Sequence, residues 1–143
     1  AIAVFLPISV IAIIISTICN VLSDYINHIV YLYTMLFAGI LASIGLFFLG
    51  TEFGVYLLIF GLGVFSGLFA VVNAVTWPRY FGRKHLGAIT GKVMSFLVIA
   101  SAIAPSLFSY CFTLLGSYAN ISYLTGGFLL FLIIASTKVK NPQ

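Results

Sequence analysis

Residues 53–92 read "FGVYLLIFGLGVFSGLFAVVNAVTWPRYFGRKHLGAITGK". The first 26 of them carry no charge, and then Arg79, Arg83, Lys84 and Lys92 arrive within 14 positions. A charge at the centre of a membrane-spanning helix costs about 2.5–3.5 kcal/mol, so a charge-free run of this length marks a crossing and the basic cluster marks its return to water. A crossing needs about 20 apolar residues. The same test, moved outward, finds charge-free runs at 1–23, 25–51 and 93–137. The last is long enough for two crossings and breaks at "GSYAN", residues 116–120, which has turn chemistry. Five helices are expected, at about 1–22, 29–49, 53–76, 88–115 and 119–137. They make an all-α integral membrane bundle and a single partial domain over residues 1–143.

Composition agrees. Hydrophobic residues make up 63 % of the chain and charged residues 6 %, against about 25 % charged in an ordinary soluble domain. Mean hydropathy is +1.27 and the pI about 9.2. The net charge of +4 reads as a topology signal rather than a nucleic-acid footprint, since no groove of alternating aromatic and basic residues accompanies it. With five alternating crossings, the basic loop at 77–92, Lys138 and Lys140 fall on one side. The "GTE" (50–52) and "GSYAN" loops, which lack Lys and Arg, fall on the other. The positive-inside rule makes the basic side, and the C-terminus, cytoplasmic. Cys19 and Cys111 lie within apolar segments and read as packing residues. The first apolar run has no basic segment before it and does not read as a signal peptide; the chain is expected to be a piece of something larger.

Polar side chains inside membrane helices usually face a cavity or another helix. On the third helix, Ser66 and Asn73 are seven apart and share a face, with Tyr56 earlier on the same helix. On the first, Ser9 and Ser16 are again seven apart. These five are the substrate-cavity candidates, Asn73 first among them. Gly63, Gly67, Ala70 and Ala74 recur at helical spacing and predict a small-residue packing face, and Gly87 and Gly91 predict another close approach at the start of the fourth helix. Trp77 and Pro78 are expected to end the third helix at the interface, with Arg79, Tyr80, Phe81, Arg83 and Lys84 in a short interfacial helix whose basic side meets anionic lipid. Asp24 and His28 are four apart, but no third ligand is near, so no metal site is expected. Enzyme chemistry is not expected either, because the spans bring no titratable groups together away from their ends, and no cofactor is implied.

The stretch "RYFGRKHLGAITG" (79–91), followed by "ASAIAPSLFSYCFTLLGSY" (100–118), resembles the loop between the tenth and eleventh helices, and the eleventh helix, of major facilitator superfamily transporters. "FGRKHLGAITG" is similar to the form in relatives that handle organic anions, the monocarboxylate and oxalate/formate-type porters. "NVLSDYINH" (20–28) falls where that superfamily carries a loop signature, and Leu22, Ser23 and Asp24 match it. Asn20 stands for the usual glycine and Tyr25 for the usual basic residue. The resemblance implies that the chain supplies the eighth to twelfth helices of a twelve-helix secondary transporter, working by alternating access on a small organic solute. Its partners are then membrane lipid and the missing N-terminal half, not nucleic acid. The resemblance gives Asp24, Arg79, Arg83 and Lys84 a gating role at the cytoplasmic loops. A carboxylate such as Asp24 is favoured near the positive end of a helix. The alternative is a small membrane protein that acts as an assembly or regulatory partner. The first helix has no Lys or Arg and the fourth only Lys92, so an anionic substrate would need its counter-charge from elsewhere.

Overall fold

A computed structural model describes residues 2–23, 25–82 and 86–137. Among them are five α-helices: α1 (Ile2–Leu22), α2 (His28–Phe47), α3 (Glu52–Phe81), α4 (Leu86–Leu115) and α5 (Tyr118–Ser136). Four contain segments long and apolar enough to cross a membrane: Val4–Leu22, Ile29–Phe47, Glu52–Pro78 and Leu86–Leu114. The fifth expected crossing is shorter than the rest. The apolar part of α5 is Asn120–Ser136, because the polar turn at 116–117 and the basic tail confine it. Large apolar side chains cover the outside, among them Phe5, Phe96 (71 % exposed), Leu114 and Phe131. A surface of this kind belongs in hydrocarbon, and the apolar helices are those of a membrane protein.

The helices pack through small residues, since lipid gives apolar side chains no reason to leave it and close backbone approach has to supply the attraction. On α3, a Cβ built at Gly61 would lie 2.6 Å from the Ala42 nitrogen and 2.9 Å from the Ala38 carbonyl oxygen of α2. A Cβ at Gly45 on α2 would lie 2.5 Å from the Leu58 nitrogen, and one at Gly54 would collide with the Phe48 carbonyl. The α2–α3 pair is therefore backbone against backbone, in a seam of Ala38, Ala42, Gly45, Gly54 and Gly61 that the pattern Gly63–Gly67–Ala70–Ala74 did not include. Of that pattern, Gly63 and Gly67 do pack, against Ile8, Ile11, Ala12 and Ile15 of α1, whereas Ala70 and Ala74 are exposed. The rising match of 63 with 8–11 and of 67 with 12–15 makes α1 and α3 parallel. The buried core lies where α1, α2 and α3 meet, around Tyr31, Met35, Ala38, Val64 and Leu68, with Ile11, Ile15 and Cys19 against it.

Caps fix the ends. Thr51 Oγ1 accepts from Gly54 N at 3.1 Å and donates to the Phe48 carbonyl at 2.9 Å, which joins the end of α2 to the start of α3. Tyr31 Oη donates to the Cys19 carbonyl at 3.2 Å and ties α2 to α1 at the opposite end. The rings of Phe47 and Tyr123 meet edge-on at 5.3 Å, so the α2–α3 and α4–α5 turns share one end of the bundle.

Three expectations about the basic stretch are corrected. α3 does not stop before Trp77; it continues through Pro78 to Phe81, with no separate interfacial helix in the described part. Trp77 Nε1 donates to Asn73 Oδ1 at 3.2 Å, a contact that requires helical spacing four residues apart and holds the turn before Pro78. Gly82 then closes the helix, donating to the Pro78 carbonyl at 3.0 Å with φ at +67°, a region glycine enters without steric cost. α4 begins at Leu86, two residues earlier than expected. A Cβ at Gly87 or Gly91 would meet nothing within 4 Å, so neither glycine serves a close helix contact among the described residues. The reason is that α4 stands largely apart: among the described residues it meets α3 and α5 and exposes most of its length.

Candidate functional site

The five cavity candidates lie on α1 and α3, and the parallel packing of these helices decides which of them meet. The contact line on α1 runs through Ile8, Ile11, Ala12 and Ile15, and on α3 through Gly63 and Gly67. With 100° of turn per residue, Ser9 and Ser16 fall about a quarter turn to one side of the α1 line. Ser66 and Asn73 fall about a quarter turn from the α3 line, on the same side. The register places Ser9, Ser66, Ser16 and Asn73 in alternating order along the pair. The result is a polar rank about 15 Å long, at 1.5 Å per residue, along one side of the helix pair. Tyr56 is not part of it. It lies near the start of α1 on the contact line itself and is 69 % exposed.

Three of the four polar groups, Ser9, Ser16 and Asn73, are partly satisfied by their own helices. Ser9 Oγ donates to the Phe5 carbonyl at 2.9 Å and Ser16 Oγ to the Ile13 carbonyl at 3.0 Å. Asn73 Nδ2 donates to the Phe69 carbonyl at 2.9 Å, while its Oδ1 accepts from Trp77. These bonds cover the Ser9 and Ser16 donors but leave their oxygens as acceptors, and leave Asn73 a second N–H donor; the Ser66 hydroxyl is exposed. The rank therefore offers neutral hydrogen-bond acceptors, one amide donor and the Ser66 hydroxyl, with no charge among its members. It is suited to holding an uncharged or dipolar group and not to proton transfer.

Sequence reasoning missed two contributors. Asn20 falls on the same side of α1, level with Asn73, and is exposed; it had been read as a stand-in for a loop glycine. The Trp77–Asn73 bond was visible as a four-residue spacing in "NAVTW", but Trp77 was assigned to the interface. The serines of α4 follow the same habit as those of α1: Ser95 Oγ donates to the Gly91 carbonyl and Ser101 Oγ to the Val98 carbonyl. Of the loop candidates, Asp24, Arg83 and Lys84 lie outside the described residues. Arg79 falls in the last turn of α3. Among the described residues no group of three His, Cys, Asp or Glu side chains is placed to hold a metal ion.

Comparison with protein-family models, with curated proteins and with solved structures returns no match to this chain.

Proposed function

We propose that this chain is part of a secondary transporter of the major facilitator type, with α1 to α5 in the positions of the eighth to twelfth helices, and that it moves a small organic solute by alternating access. The observation that carries this reading is the polar rank of Ser9, Ser66, Ser16 and Asn73 on one side of the α1–α3 pair. Lipid contact does not call for such a rank, whereas a water-filled path does. The resemblance of "RYFGRKHLGAITG" to a transporter loop supports it independently. On this reading the basic end of the bundle is cytoplasmic, the rank is one wall of the solute path, and the other wall belongs to helices outside these 143 residues. The absence of charge from the rank favours a neutral or dipolar solute group at this wall. An organic anion would draw its counter-charge from the opposite wall.

The test is thiol accessibility. In a background with Cys19 and Cys111 replaced by Ser, single cysteines at Ser66 and Asn73 should react with a membrane-impermeant maleimide in intact vesicles, and cysteines at lipid-facing Ile14 and Phe96 should not. Equal protection of all four would overturn the reading.

The alternative, a small membrane protein that assists assembly of another, is favoured by the exposure of α4, which offers a long unpaired helix to a partner. Coding sequence upstream of Ala1 discriminates the two. About seven further helices in frame support the transporter, and a start codon just upstream supports the assembly partner.

A further inference from the structure

Prolines interrupt three of the helices: Pro7 in α1, Pro78 in α3 and Pro105 in α4. A proline inside a helix has no N–H for the carbonyl four residues earlier. In α3 the Ala74 carbonyl loses the partner that helical geometry would give it. The turn weakened by each proline is bordered by the residues one and five before it. In α1 these are Leu6 and Ile2, and in α4 Ala104 and Ala100, none of which carries a hydrogen-bonding side chain. In α3 they are Trp77 and Asn73, and the indole Nε1 donates to Asn73 Oδ1 at 3.2 Å.

The direction of that bond is fixed by chemistry. An indole N–H only donates and a backbone carbonyl only accepts, so the amide turns its oxygen to Trp77 and its nitrogen to Phe69. Asn73 Nδ2 donates to the Phe69 carbonyl at 2.9 Å. The Asn73 side chain is thus held from both directions, one turn back and one turn ahead in α3.

The break also falls at a particular level of the bundle. Gly63 lies against Ile8 and Ile11, and Gly67 against Ala12 and Ile15. Carried forward in that register, the last residue of α1, Leu22, is level with about residue 75 of α3. α2 runs the other way, with Gly45 against Leu58 and Gly61 against Ala38 and Ala42. Its first residue, His28, is therefore level with about residue 74. α3 runs on to Phe81. Pro78 weakens α3 where it emerges from between its two neighbours, with Asn73 on the enclosed side of the break and Trp77 on the protruding side.

We propose that the Asn73–Trp77 bond is a latch across a proline hinge. It holds the Pro78–Phe81 end of α3 in line with the rest of the helix. Its release lets that end, with the basic stretch that follows, swing relative to α1 and α2. A sharp kink at proline exceeds about 20°. Over the length from Ala74 to Phe81, about 10 Å, that angle carries the end of α3 about 4 Å sideways. The latch needs no transport activity, so its failure would leave the transporter reading as it stands. Where that reading holds, the latch joins a side chain of the polar rank to the α3–α4 connection.

The test uses the whole chain, with Cys19 and Cys111 replaced by Ser, in bilayer discs. Spin labels are placed on cysteines at Ile14 and Tyr80, on opposite sides of the break, or at Ile14 and Phe53, both on the enclosed side, as a control. Double electron–electron resonance reads the distance within each pair. Trp77→Phe and Asn73→Leu should each widen the Ile14–Tyr80 distribution by about 4 Å or more and leave Ile14–Phe53 unchanged. Pro78→Ala restores the backbone donor, so in that background Asn73→Leu should widen nothing. Trp77 is the only tryptophan of the chain, so ultraviolet resonance Raman of its N–H reads the bond directly. The native chain should show a hydrogen-bonded indole, and Asn73→Leu should lose that signature. An indole without a hydrogen bond in the native chain would overturn the latch. So would an unwidened Ile14–Tyr80 distribution in an Asn73→Leu chain whose indole has lost its bond. Widening that persists with Pro78→Ala, or equal widening of both label pairs, would mark a general loosening of the bundle and overturn it as well.

Discussion

A methyl group added at Gly61 has nowhere to go. It would press on the backbone of Ala38 and Ala42, and backbone cannot rotate aside as a side chain does. Gly61→Val should therefore force α2 and α3 apart and cost about 1–3 kcal/mol, the usual range for overpacking, measured by reversible unfolding in mixed micelles. Gly127→Ala should do the reverse. With open space at that position it recovers helix propensity, about 0.8–1.0 kcal/mol, and the same unfolding assay should show a gain. Gly61→Ala, which adds the same methyl group as Gly127→Ala, should also destabilise, and opposite signs for these two would identify neighbouring backbone, not glycine itself, as the deciding factor. Gly82 differs from both, because its φ of +67° makes any side chain there strained irrespective of space.

Among the elements, the turn from α2 to α3 has the clearest chemistry. Thr51 caps α3 through Gly54 N, with Glu52 in the first turn where a carboxylate suits the helix dipole. Thr51→Ala should cost about 1 kcal/mol in the micelle assay, and Thr51→Ser should retain most of it. The sequence reading placed only a "GTE" connection here and not this cap, but the five helices were legible: charge-free length placed them within a few residues, because insertion energy punishes charge more strongly than packing rewards any particular side chain. The helix through Pro78 was not legible. Local rules disfavour helix at Thr76 and Trp77, yet α3 runs on to Phe81 with the Trp77–Asn73 bond, a pair four residues apart, spanning the turn before Pro78. The α2–α3 seam was legible only in part. Ala38, Ala42 and Gly45 follow small-residue spacing, but spacing does not say which of several such faces meets which helix. For the same reason the polar pairs Ser9–Ser16 and Ser66–Asn73 were found separately. That they share a side depends on α1 and α3 being parallel and in register, which no single helix encodes.

Across the whole molecule, the end of α3 and the start of α4, which flank the basic stretch of the sequence, lie at one end of the bundle, and the turns at 48–51 and 116–117 at the other. Reporter fusions after Lys84 and after Glu52 should read opposite sides of the membrane, the first cytoplasmic; the same side for both would invalidate the crossing pattern. The packing is uneven as well. α1, α2 and α3 enclose the core, whereas α4 is joined to its neighbours over only a small part of its surface. Hydrogen exchange in bilayer discs should accordingly be slowest in α3 and fastest in α4, since protection follows burial and contact density. At each end α4 is preceded or followed by a glycine with positive φ, Gly82 at +67° and Gly116 at +69°, neither of them crowded. A 30-residue helix is about 45 Å long. Pivoting by about 10° at one of these glycines would carry its far end through about 8 Å, roughly the spacing between packed helices. In mechanical terms the consequence is leverage: a helix of that length, held by α3 and α5 over so little of its surface, would turn a small rotation at one end into a large displacement at the other.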